Sequence, residues 1–125
     1  LCSRVFFGYT LSMSSVKLSI IMPCYNCENT VTEAVESIYA QNMTFPFEVI
    51  MLDDGSTDGT WGLLTAFDKQ YDEVEVFQNE RNYGGGYTRN RGFDFSKGEI
   101  LFFFDSDDLI VQGSFEKLHY IFDYL

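Results

Sequence analysis

Four short apolar runs, each separated from the next by a stretch of helical spacing, restrict the fold of this chain more than any other feature. They are "KLSIIMP" (Lys17 to Pro23), "FEVIML" (Phe47 to Leu52), "VEVFQ" (Val74 to Gln78) and "ILFFFD" (Ile100 to Asp105). β-Branched and aromatic residues dominate them, and they are too apolar to turn one face to water. Strands buried on both faces need helices above and below, which is the condition for a parallel sheet. The intervening segments supply those helices. "TVTEAVESIYA" opens with Thr30 and Glu33 in the Thr-x-x-Glu spacing of a capping box, and it places Val31, Val35, Ile38 and Tyr39 on one face. A second helix presents Leu63, Leu64 and Phe67 inward, and a third is entered through "NERNYGGGYTRNRGFDFS". Ser114 is expected to cap a fourth that carries Phe115, Leu118, Ile121 and Phe122 on one side. The pattern predicts a Rossmann-like α/β sandwich.

At 125 residues the chain fits one domain, and its 46% hydrophobic and 18% aromatic content is that of a packed protein. A net charge of −11 repels both a nucleic-acid backbone and an anionic membrane surface, so neither is expected as a direct partner. No apolar run reaches the roughly 18 residues of a membrane span, and "LCSRVFFGYTLSMSSV" lacks the charged start and long apolar centre of a signal peptide. The reading is cytoplasmic, with peripheral attachment at the inner membrane face left open for a parent protein. The chain starts on Leu1 and stops at Leu125 inside an apolar helical pattern. Residues 1–16 are therefore read as an N-terminal extension and 17–125 as the folded part, incomplete at its C-terminal side.

In parallel sheets ligands bind beyond the carboxyl ends of the strands, and that edge is where "CYNCE", "DDGS" and "DSDD" fall. The carboxylates of Asp105, Asp107 and Asp108 repel one another and call for a cation or water. Hard cations such as magnesium or manganese take oxygen ligands and are often held by one or two carboxylates plus phosphate oxygens. His119 stands alone, which argues against zinc. The competing reading of "DSDD" is a polar turn, which accounts for one Asp. "DDGSTDGT" also reads as a tight turn with Asp58 as a helix cap, yet Asp53 and Asp54 end a strand, where a carboxylate can accept a hydrogen bond from the imide N–H of a ligand. Uracil has that donor and cytosine does not. Gly84 to Gly86 match neither a P-loop nor a dinucleotide fingerprint, but Arg89 and Arg91 follow, and one Arg facing the cleft would offset a diphosphate. "CYNC" has the spacing of a redox pair, a reading that leaves the acids unexplained. Tyr25, between the cysteines, is placed to stack on a base, an interaction worth roughly 1 to 3 kcal/mol.

Taken together, "SIIMPCYNCE", "VIMLDDGSTDGT", "NYGGGYTRNRG" and "GEILFFFDSDD" resemble the nucleotide-sugar half of the family 2 glycosyltransferases, from Lys17 to about Ile110. The resemblance implies the GT-A fold, a three-layer α/β/α sandwich with a mostly parallel sheet, here ending before the acceptor-binding half. It implies an inverting, metal-assisted transfer of a sugar from a nucleoside diphosphate, commonly a UDP-sugar, to a hydroxyl on a saccharide or lipid-linked acceptor. The setting implied is polysaccharide or cell-wall synthesis. Carried over by position, Pro23 and Tyr25 line the base and Glu28 is the acid after Tyr-Asn. Asp54 is the uracil-contacting acid with Asp53 beside it, and Arg89 faces the nucleotide. Asp105 and Ser106 contact the ribose or sugar, and Asp107, with Asp105, holds magnesium or manganese. Asp108 is secondary. Thr88 departs from the family, which often has Ala there, and so does the triple glycine. No catalytic base is assigned, because the family's lies beyond residue 125, so this chain alone is expected to bind rather than turn over.

Two rivals remain at this level. A phosphatase of the haloacid dehalogenase type also ends an apolar strand in D-x-D, the first Asp being the nucleophile, but it places that motif on its first strand with further motifs far downstream. A non-catalytic nucleotide-binding module shares the donor motifs and lacks an acid in the second half.

Overall fold

The computed structural model of the protein describes residues 16–122. The N-terminal extension and Cys2 lie outside the described residues, apart from Val16, as does the side chain of His119. Four strands form one sheet: β1 (Leu18–Cys24), β2 (Phe47–Asp53), β3 (Val74–Gln78) and β4 (Ile100–Phe103). They alternate with α1 (Val31–Tyr39), α2 (Thr60–Gln70) and α3 (Gly85–Phe95), and a short α4 (Leu118–Phe122) ends the order. Every pairing is parallel and the spatial order is β3-β2-β1-β4. The chain builds outward from β1 to β3 and then crosses to the other side of β1, so the strand order reverses between β1 and β4. That reversal is the position where doubly wound sheets open a crevice.

Side chains alternate across each strand, and the two faces bury different sets. Leu18, Ile20 and Met22 of β1 and Val49 and Met51 of β2 pack with Val31, Val35 and Ile38 of α1 and Leu64 and Phe67 of α2. On the opposite face Ile21, Ile50 and Leu52 pack with Phe77 and with Phe95 of α3. The sheet thus separates α1 and α2 from α3, giving the three layers expected. β1 and β2 are almost wholly buried, as continuous apolar runs require.

The caps of α1 and α4 differ from expectation. Thr30 precedes α1 but makes no capping hydrogen bond; its hydroxyl donates to the Cys27 carbonyl at 3.4 Å. The backbone closes the turn ahead of the helix, Thr30 N and Val31 N donating to Cys27 O at 3.1 and 3.0 Å. Ser114 caps no helix either: its hydroxyl donates to Val111 O at 2.6 Å, and α4 starts only at Leu118. Of the apolar face read there, Phe122 is buried and Ile121 is exposed. β4 ends at Phe103, short of the Asp105 expected.

α3 lies close to β1 because Gly92 has no side chain. A Cβ there would stand 2.3 Å from Ile21 Cγ2 and 3.1 Å from Leu52 Cδ1, both fully buried. Gly92→Ala is therefore expected to destabilise the fold by about 1 to 3 kcal/mol through overpacking, read as a lower midpoint in urea with an unchanged slope.

Candidate functional site

β1 and β4 part at their carboxyl ends around a cleft of about 520 Å³. Pro23, Tyr25, Asn26, Cys27 and Thr30 wall one side, Arg89 of α3 another, and Asp105, Ser106 and Asp107 the third. Arg89 Nη2 lies 3.2 Å from Asp105 Oδ1, a pair that stays open to solvent. Such exposed pairs are worth at most about 1 kcal/mol, so Arg89 can exchange Asp105 for another anion at little cost. Carboxylate oxygens of Asp105, Asp107 and Asp108 come within 4.8 Å of one another, all three residues exposed. The donor set of this cluster is oxygen only, which fits a hard divalent cation.

A second cavity of about 190 Å³ adjoins the first and shares Pro23 and Tyr25 with it. Asp54, Asn82, Gly84 and Gly85 line its far side. Asp53 and Asp54 are neighbours in sequence but point to opposite faces, as consecutive strand positions do. Asp54 is turned toward the glycine loop. Its Oδ1 accepts from Tyr83 N at 2.8 Å and Asn79 Nδ2 at 2.9 Å, and its Oδ2 accepts from Gly84 N at 2.9 Å. The carboxylate therefore anchors the loop that opens α3, with one lone pair of Oδ2 still free. Asp53 is fully buried and lines neither cavity; it accepts from Ser56 N at 3.4 Å and Gln78 Nε2 at 3.2 Å, closing its own turn. Gly55 makes that turn possible. It sits at φ +76°, and a Cβ would stand 2.6 Å from Arg81 C and Asn82 N.

Glu28 likewise lies off both cavities. Its Oε1 accepts from Gly59 N at 2.7 Å, placing a carboxylate at the positive end of α2. Asp58 is not the cap read from the sequence: Gly59 holds the cap position of α2, and Asp58, one residue earlier, accepts from Thr60 N at 2.9 Å, a contact that holds its carboxyl below the usual value. Asn26 joins the loops after β1 and β2 by donating its N–H to Ser56 Oγ at 2.9 Å and accepting from Thr57 N at 2.8 Å.

Of the residues read from sequence, then, Pro23, Tyr25, Arg89, Asp105, Ser106 and Asp107 meet in one cleft. Asp54 stands in the adjoining cavity, and Glu28 and Asp53 support the loops instead. Of the two arginines only Arg89 faces the cleft; Arg91 donates to Asn79 Oδ1 and lies over Phe95. Asn79 was missed. It is buried, and it bridges Asp54 to the Thr88 hydroxyl at 2.9 Å, which in turn donates to Gly84 O at 2.8 Å. Thr88, odd in the sequence, is thus a second anchor for the glycine loop. Among the described residues no helix is long and apolar enough to cross a membrane.

A parallel α/β sheet with acids and an arginine gathered at its reversal point has the architecture of a nucleotide-binding protein. Comparison with known proteins narrows this: the family model "Glycosyl transferase family 2" matches residues 19–123, and the chain belongs to that family. It is 39% identical over 97 residues to the poly(ribitol-phosphate) beta-glucosyltransferase of Bacillus spizizenii, covering 76% of this chain and 15% of the relative. It is 34% identical over 102 residues to glycosyltransferase GlyG of Streptococcus pneumoniae, covering 82% of this chain and 34% of that one. The crystal structure of S. aureus TarS 1-349 in complex with UDP-GlcNAc superposes with a TM-score of 0.77 at 34% identity, covering 87% of this chain and 32% of that 1-349 chain. The mannosyltransferase PcManGT of Pyrobaculum calidifontis, in complex with GDP-Man and Mn2+, gives 0.68 at 26% identity over 74% of this chain and 28% of that one. The chain thus spans between about a seventh and a third of the length of these proteins.

Proposed function

We propose that this chain binds the donor for a family 2 transferase that moves a sugar from a UDP-sugar to a hydroxyl acceptor with inversion. The observation that carries the reading is the cleft at the β1/β4 reversal, where an aromatic ring, an arginine and the carboxylates of Asp105 and Asp107 face one space, with Asp108 clustered beside them. TarS, a relative of like fold, is described bound to UDP-GlcNAc and to UDP, which supports a uridine donor. The poly(ribitol-phosphate) transferase supports a polymeric, cell-wall type of acceptor.

In this reading Tyr25 stacks on the base and the free lone pair of Asp54 takes the imide N–H. Ser106 and Asp105 meet the ribose or sugar. Asp107, with Asp105, holds magnesium or manganese, which when bound stabilises charge on the departing diphosphate. Arg89 leaves Asp105 for the diphosphate and offsets the negative charge that grows there as the anomeric bond breaks. None of the residues named here is assigned as the base that deprotonates the acceptor, so the chain alone binds donor without turnover.

Titration calorimetry of the folded chain with UDP tests the reading. Binding that requires manganese or magnesium is expected; a folded sample that takes up no UDP in the presence of manganese refutes it.

A further inference from the structure

The cysteine pair of "CYNC" is left without a task by the donor reading, yet it stands at the cleft. Both thiols are free and buried. Cys24 ends β1 and lines the smaller cavity, whereas Cys27 lines the larger cleft beside Ser106. The two thiols lie in one buried cluster on the α1 and α2 face of the sheet, where Cys24 Sγ donates to Met22 O at 3.5 Å. Thr60, at the start of α2, holds Cys27 twice: its hydroxyl accepts from Cys27 N at 2.9 Å and reaches Cys27 Sγ at 3.9 Å.

We propose that Cys24 and Cys27 form a reversible disulfide whose closure reshapes the donor cleft. The oxidant is a peroxide. The Cys27 sulfur attacks one peroxide oxygen and breaks the O–O bond, giving a sulfenic acid and water. The Cys24 sulfur then attacks the Cys27 sulfur and expels the hydroxide, which leaves as a second water with the Cys24 proton. Two thiols are oxidised and one peroxide is reduced to two waters. The roles follow from the surroundings. The neighbouring Cys24 thiol lowers Cys27 against the opposing effect of burial, with Ser106 and Thr60 adding to the lowering, so Cys27 is the thiol of the pair that ionises first. Cys24 is raised well above the usual thiol value by Cys27, by burial and by the charge of Asp53, so it enters as the second thiol. A disulfide brings the sulfurs to about 2.05 Å, which draws Cys27 from Ser106 and Thr60 and moves the Tyr25 loop between them.

The chemistry stands apart from the donor reading, and only its effect on UDP depends on it. The reduced chain is treated with stoichiometric hydrogen peroxide and mapped by peptide mass, with emission of Trp61, the single tryptophan, read beside it. Trp61 follows Thr60 and so reports the α2 end without nucleotide. A Cys24–Cys27 bridge, a Trp61 emission change reversed by dithiothreitol, and manganese-UDP affinity weaker by about tenfold are expected. Cys27→Ser is expected to hold its starting emission and affinity under peroxide, whereas Cys24→Ala is expected to stop at the Cys27 sulfenic acid, read by mass as its dimedone adduct. Sulfinic acid, a bridge to Cys2, or a bridge that leaves Trp61 emission unmoved overturns the proposal. A reduced chain that fails to bind UDP instead counts against the donor reading, while mapping and emission still decide the disulfide.

Discussion

Asp107→Asn is expected to weaken manganese-dependent UDP binding about a hundredfold while leaving the fold intact. Asp107 is exposed and forms no part of the core, so the change falls within about 0.5 kcal/mol on stability. The amide keeps the shape but loses the negative charge on one of three clustered oxygens. Losing an outer-shell partner of a metal costs ten- to a hundredfold, and a direct ligand costs at least the upper figure, so about a hundredfold weaker binding is expected. Calorimetry with UDP at fixed manganese, beside a circular dichroism melt, checks both halves. Unchanged affinity at an unchanged melting point would remove Asp107 from the site.

The second large effect is on the fold. Asp54→Asn is expected to destabilise by about 2 to 4 kcal/mol, because the new amide nitrogen must face N–H donors that the carboxylate now accepts. Tyr83 N, Gly84 N and Asn79 Nδ2 all point at it, and the residue is 4% exposed, so water cannot take their place. A thermal melt should show a loss of roughly 10 °C for a domain of this size. Because β1, β2 and the core packing do not depend on Asp54, hydrogen exchange should rise first at residues 82–88.

The strands were legible as short apolar runs, a property written locally, but burial on both faces holds only for β1 and β2; "VEVFQ" became β3 with its ends unchanged although Glu75 and Gln78 are exposed, and β4 is only partly buried. The cleft was legible in part for the same reason, since acids at strand ends must stand at the sheet edge. Caps were less legible: at α1 the backbone closes the turn on Cys27 O, and the Thr30 side chain makes no capping bond. Asp53 and Asp54 were read as a pair, although strand alternation already sends them to opposite faces. Asn79 had no local signal at all: its partners, Asp54 after β2 and Thr88 and Arg91 on α3, meet it only in the folded chain.

Tyr25 forms part of the wall of both cavities, with nearly half its surface open. A ring shared by both walls makes the two compartments interdependent: a tilt of Tyr25 that widens one narrows the other. Substitutions at Asp54 and at Asp107 should then be non-additive in a double-mutant cycle, and replacing Tyr25 by alanine should abolish that coupling.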